Sequence, residues 1–162
     1  MKVALRILQD GTVSIEGIAE PLFQMLAGVK SAAEADDPRV ESRFFQSPSE
    51  DPEATGLCED WKAFVQPDLH AGFATARDAV AADLRGATSN SNGSRSFTIP
   101  RKHIDYWLCA LNQARLALAE VHGFTDAEMS RQPGDLDNPH EYALLQTSIY
   151  GMLQEWLIAL LD

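Results

Sequence analysis

The chain has 162 residues, enough for one domain with a core and short for two. Apolar residues make up 45% and charged residues 23%, the balance of a soluble globular domain. Acidic residues outnumber basic ones 24 to 13, and the net charge of -11 disfavours nucleic acid and anionic membranes as partners, because both require basic surface.

Residues 2–18, KVALRILQDGTVSIEGI, predict a β-hairpin. Val3, Leu5 and Ile7 alternate with polar or small residues, Asp10-Gly11 is a turn signal, and Val13, Ile15 and Ile18 carry the second run. A two-stranded hairpin is marginal alone, so one face is expected to pack on helices. Pro21 suits the first turn of a helix with Leu22, Met25, Leu26 and Val29 at helical spacing, ended by Asp36-Asp37-Pro38. An irregular stretch follows, with Phe44 and Phe45 as anchors. Asp51-Pro52-Glu53 has the order of a helix start: capping carboxylate, proline, and acid at the positive end of the dipole. Leu57, Trp61, Phe64 and Val65 form that helix's apolar stripe. Pro67-Asp68 predicts the start of another, with Leu69, Phe73, Ala76, Val80 and Leu84 on its core face.

The polar, glycine-bearing segment at about residues 86–95 predicts a flexible surface loop, and SFTI after it reads as a short strand beside the hairpin. Pro100 opens the helix that contains YWLCALNQARLALAEVHGF, and Gly123 is its expected stop. Thr125-Asp126-Ala127-Glu128 is a capping-box pattern, and Asn138-Pro139-His140-Glu141 again sets cap, proline and acid in order. On the last helix Tyr142, Leu145, Ile149, Met152, Leu153, Trp156 and Leu160 make one broad apolar face. Trp61, Trp107 and Trp156 are expected as core anchors.

Polar chemistry enters at Arg115. At about 100° per residue it falls in the arc of Ile104, Trp107, Leu108, Leu111, Leu118 and Val121, with Asn112 at the edge. A guanidinium cannot escape burial by losing its proton, so a buried Arg115 needs an acceptor or an anion. Its own helix offers no carboxylate one turn away; the neighbours are Leu111, Asn112, Leu118 and Ala119. The partner must come from another helix, solvent or a ligand. Glu155, flanking the stripe of the last helix, is the expected partner, with Gln154 beside it. Asn112, Arg115, Gln154 and Glu155 are therefore the candidate site, read either as an inter-helix bridge or as a pocket for a small anion. The alternative is that Arg115 snorkels to water along its stem.

Other chemistries lack their patterns. Cys58 and Cys109 lie far apart, with no disulfide framework or metal-ligand spacing. His70, His103, His122 and His140 form no HExxH motif, and no G-x-S-x-G or phosphate-binding glycine loop occurs. The apolar run at the start is interrupted by Arg6 and too short for a signal peptide, and no run approaches a membrane span. A cytoplasmic location, with no cofactor and no metal, is expected.

WLCALNQARLALAEVHGF and SIYGMLQEWLIALL resemble a bacterial family known as domain of unknown function 2017. The match runs through Trp107-Leu108, Leu111-Asn112, Arg115-Leu116 and Leu118, and through Leu153-Gln154-Glu155 and Leu157. SEDPEA and the N-terminal hairpin are similar to the family's earlier segments. The family's usual Asp after Asn112 is Gln113 here, and its usual Gly is Ala119, which weakens any role that needs that Asp as a base. The resemblance implies no known activity; through genes encoded near a Clp-protease adaptor, it implies a link to regulated proteolysis.

The expected architecture is one α+β, mainly α domain over residues 1–162, an N-terminal hairpin packed on a bundle of about five helices. The expected function is a non-catalytic protein-interaction or regulatory module with a protein partner or a homodimer. The alternative is a small-anion-binding protein or enzyme with a pocket at Arg115.

Overall fold

Alternating side chains and a turn-forming glycine make the first element. The structure is a computed structural model describing residues 2–162. Strands β1 (Ala4–Ile7) and β2 (Val13–Ile18) pair antiparallel, with Leu5 opposite Ile15 and Ile7 opposite Val13. The Leu8 amide donates to the Thr12 carbonyl at 2.8 Å and the Gly11 amide to the Leu8 carbonyl at 2.9 Å. Gly11 closes this turn at φ 83, a left-handed conformation that glycine adopts without a Cβ clash.

The hairpin is half of a four-stranded sheet. Strands β3 (Thr88–Ser89) and β4 (Arg95–Ile99) complete the order β1-β2-β4-β3, with Phe97 opposite Ile15 and Ile99 opposite Val13. SFTI thus lies beside the hairpin as expected. The segment expected as a flexible loop closes as a second hairpin. Its turn is held by the Asn90 amide on the Ser94 carbonyl and by the Asn90 side chain on the hydroxyls of Ser94 and Ser96. Val13, Ile15, Ile18, Phe97 and Ile99 fill one face of the sheet and are buried against the helices. The opposite face is polar and open, a concavity of about 820 Å³ lined by Arg6, Ser14, Glu16, Ser96 and Thr98 among others.

The helical layer is built around α6 (Ile104–His122), which packs on α8 (Pro139–Leu161), α5 (Gln66–Arg85), α2 (Val29–Ala33) and α3 (Pro38–Phe44). Trp107, Ala110, Leu111, Ala114 and Ala117 of α6 are fully buried, and the small alanines allow close helix approach. One helix was expected over residues 21–35; it divides at Gly28 into α1 (Glu20–Ala27) and α2. The division has a packing cause. A Cβ on Gly28 would lie 2.8 Å from Gln146 Nε2, and Tyr150 Oη donates to the Met25 carbonyl at 2.6 Å in the turn before. Burial holds the Tyr150 phenol well above its ordinary pKa, so it remains a donor.

The expected helix start at Pro67 is not a boundary. After a short turn at Pro52–Ala54, α4 (Thr55–Asp60) runs through Trp61–Val65 into α5 as one helical rod. Pro67 carries no amide and its ring crowds the carbonyl four residues earlier. The chain accommodates it with a widened turn, in which the Gln66 amide bonds the Trp61 carbonyl five residues back. The C-terminal signals behave as read: Gly123 ends α6 at φ 62, Thr125 and Glu128 form a capping box on α7 (Asp126–Met129), and Asn138 caps α8. The fold is therefore α+β and mainly helical, with the N-terminal hairpin packed on helices.

Candidate functional site

Arg115 lies half-buried on the seam between α6 and α8. Its Nη1 donates to Gln154 Oε1 at 2.7 Å, and Gln154 Nε2 donates to the Leu108 carbonyl at 3.1 Å. Gln154 thus ties the guanidinium to the backbone of α6 itself. Gly151, one turn before Gln154, makes room: a Cβ there would come within 3.3 Å of Arg115 Cζ and Nε. The guanidinium lies against the α8 backbone, with Nε buried and without an acceptor.

The expected ion pair with Glu155 does not form. Glu155 is exposed, and Arg115 makes no salt bridge among the described residues. The cause is helical phase. The buried line of α8 runs through Ala143, Thr147, Tyr150, Leu153 and Leu157. Residue 154 lies one turn from both Tyr150 and Leu157, whereas residue 155 is rotated about 100° further, toward solvent. Asn112 is displaced in the same way. It is exposed on α6, and the buried amide is Gln113, which accepts from Arg77 Nη1 at 3.2 Å and donates to Cys109 Sγ at 3.2 Å. The structure therefore brings Arg115 and Gln154 together and leaves Asn112 and Glu155 outside their cluster.

Two further polar clusters join elements distant in sequence. The Asp83 carboxylate, only 8% exposed, accepts from Trp107 Nε1 at 2.9 Å and faces His103 Nδ1 at 3.0 Å. It holds α5 to the start of α6. At the other end of α6, His122 stacks on Phe124 and meets His140 edge-on at 5.9 Å between ring centres. His140 Nε2 lies 2.8 Å from Glu128 Oε1, and Arg131 grips Glu141 through both carboxylate oxygens at 2.6 and 2.8 Å. Burial, and then the neighbouring His140, hold the His122 pKa below its ordinary value. The Arg131 hydrogen bond, then the Gly134 amide, lower Glu141 to about 2. No three His, Cys, Asp or Glu side chains among the described residues converge on a metal-sized site.

Apolar surface is left open in two places. On the helical rod, Phe64 is 72% exposed and Leu57 56%, with Val65 also exposed. Trp61 is half-buried, and its Nε1 is enclosed without an acceptor. The predicted stripe is present, but it faces solvent. At about 1.5 Å per residue the rod from Thr55 to Arg85 spans about 45 Å. Its buried residues, Ala76, Val80 and Leu84, all lie in the second half, and Thr55–Val65, which has none, is an arm at the far end of the rod from them. On α8, Tyr142, Met152 and Trp156, expected in the core, are more than a third exposed, as are Ile158 and Leu161 near the C-terminus.

A family model described as Domain of unknown function (DUF2017) matches residues 5–161. The chain belongs to this family. No curated protein and no solved structure matches it. In this DUF2017 chain the matched region takes in the hairpin, the arm and both motif helices.

Sequence reasoning missed Asp83, Gln113 and the outward arm. A signal for Asp83 existed: His103 and Trp107 are four residues apart, so two ring N–H donors share one helix face and call for a common acceptor. Gln113 lies three residues after Ala110 and four before Ala117, inside the buried arc. No helix among the described residues is long and apolar enough to cross a membrane.

Proposed function

We propose that this chain is a non-catalytic protein-interaction module whose docking element is the arm Thr55–Val65. The observation that carries this reading is the uncovered stripe of Leu57, Phe64 and Val65 on a helical arm that has no buried residue. Its spacing of i, i+7 and i+8, with Trp61 at i+4, is the pattern by which an amphipathic helix seats in a partner's apolar groove. Large aromatics on such a face are the usual anchors of binding energy. The family resemblance supports regulated proteolysis as the setting, and the free thiols of Cys58 and Cys109 support the cytoplasm as the location.

The test is affinity capture from the native host with the wild-type chain and with a Leu57→Ser, Phe64→Ser variant, read by quantitative mass spectrometry. Both positions are exposed, so the variant should retain the wild-type circular dichroism spectrum. Proteins captured by the wild type and lost with the variant support the arm as docking element. An identical set from both refutes it.

A second reading is favoured by one observation: among the described residues Arg115 has a single side-chain acceptor and no carboxylate partner. A half-buried cation so placed can accept a small anion at the α6–α8 seam. Calorimetric titration with phosphate, sulfate and acetate tests this, with Arg115→Met as the control; absence of heat with all three discards it.

A further inference from the structure

We propose that β1 is a self-association edge, on which a second copy of this chain pairs antiparallel about a twofold axis passing Leu5. The proposal does not depend on what the Thr55–Val65 arm binds. Strand β1 is the first in the sheet order and, among the described residues, pairs only with β2. Its other edge presents unpaired backbone groups, a template for another strand.

Register follows from the hairpin. Leu8 and Thr12 are hydrogen-bonded across the turn, and antiparallel pairs alternate between bonded and non-bonded. Arg6 with Ser14 and Ala4 with Glu16 are therefore the bonded pairs to β2. The backbone groups of Val3, Leu5 and Ile7 point to the free edge. Two copies satisfy one another only when odd-numbered residues oppose odd-numbered ones.

Charge selects among the symmetric registers that remain. Centring on Arg6 sets Arg6 against Arg6 of the second copy. Centring on Ala4 sets Arg6 against Lys2. Both place like charges directly opposite, which is destabilising. Centring on Leu5 sets Arg6 against Ala4 of the second copy. Ala4 is small, and the residue beyond it on β2 is Glu16, so the guanidinium extends over Ala4 toward a carboxylate. Within one chain the Arg6–Glu16 contact is loose, at 3.7 Å with the Arg6 side chain largely exposed, so Arg6 is free to be shared.

The apolar side fits the same register. Val3, Leu5 and Ile7 lie on the helix-covered face of β1. Leu5 packs against the core, while Ile7 is 50% exposed. In the Leu5-centred pairing Ile7 of the second copy lands beside Val3. Val3 lines an apolar crevice with Ile18, Leu22, Met152 and Trp156. The half-exposed Met152 and Trp156 therefore flank the edge that the second copy occupies, and Ile7 reaches toward them.

Sedimentation equilibrium of the full chain tests this. The expected mass is twice the 17.8 kDa of one chain. Arg6→Glu or Glu16→Lys alone should raise the dissociation constant at least about tenfold, and the two together should restore it. Ile7→Lys should leave a monomer. Circular dichroism of each variant checks that the exposed substitutions leave the fold intact. A wild type that stays monomeric up to about millimolar concentration overturns the proposal. So does a dimer indifferent to both charge reversals, or one that the paired reversal does not restore.

Discussion

Replacing Arg115 by Met separates the partner that helical phase selects from the one that charge alone suggests. The perturbation removes a charge-assisted hydrogen bond of 2.7 Å to Gln154, and with it a buried Nε that has no acceptor. The two effects oppose each other. A hydrogen bond to a charged group contributes about 1.5–3 kcal/mol, and an unsatisfied buried donor costs about 1–3 kcal/mol. Arg115→Met alone should therefore change stability by no more than about 2 kcal/mol in either direction. The informative quantity is the coupling. In a double-mutant cycle with Gln154→Leu the interaction energy should be about 1.5–2 kcal/mol, the lower part of the charged hydrogen-bond range because the site is half-buried. With the exposed Glu155→Gln it should lie within about 0.5 kcal/mol of zero. Urea unfolding followed by tryptophan fluorescence reads both cycles. Coupling to Glu155 larger than coupling to Gln154 would refute the assignment.

Asp83→Ala should destabilise the fold by about 3 kcal/mol. It strands the indole N–H of a fully buried Trp107 and removes the acceptor facing His103. For a chain of this length that is a fall of about 6–12 °C in Tm by calorimetry, and a fall of less than about 2 °C would show that the cluster is not holding α5 to α6. Glu141 sets an acid limit. Its folded pKa of about 2 lies below the unfolded carboxylate value of about 4.3. Its contribution is thus complete above the unfolded value and is lost as pH falls toward the folded one. Glu141→Gln should flatten the stability profile between those values, and an unchanged slope would count against the Arg131 clamp. His122 acts higher on the scale. Its lowered pKa means that the unfolded chain binds the proton more readily, so stability should decline as pH drops below about 6.5. His122→Gln should remove part of that decline; equal slopes in both proteins would contradict it.

How much was legible depended on whether a signal was local. Turn glycines, caps and strand alternation are local, and Gly11, Gly123, the Thr125–Glu128 box and the Asn138 cap all form as read. The α6–α8 polar seam was legible from Arg115, because an arginine inside an apolar arc demands a partner. Which residue answers was not, because α8 is apolar on more than one side. With Leu145, Ile149, Met152 and Trp156 on one arc and Tyr150, Leu153 and Leu157 on another, periodicity does not say which arc faces α6. An error of one residue followed, Glu155 for Gln154. Asn112 and Gln113 repeat it on α6.

The arm shows the same ambiguity with a different consequence. Leu57, Trp61, Phe64 and Val65 have the spacing of a core face, and nothing in that spacing distinguishes a face covered by its own chain from one meant for another. An isolated helix of this length is marginal in water. What keeps Thr55–Val65 helical is its continuity with α5, accommodated at Pro67 by the widened turn before it. Burying a large apolar side chain is worth about 1.5–3 kcal/mol, so a partner that covers Phe64 and Leu57 gains that stabilisation against a helix already formed, with less ordering entropy to overcome than a disordered segment would impose. A stripe that the fold presents without covering needs less ordering on binding, which favours the proposed docking site on the arm over the polar seam.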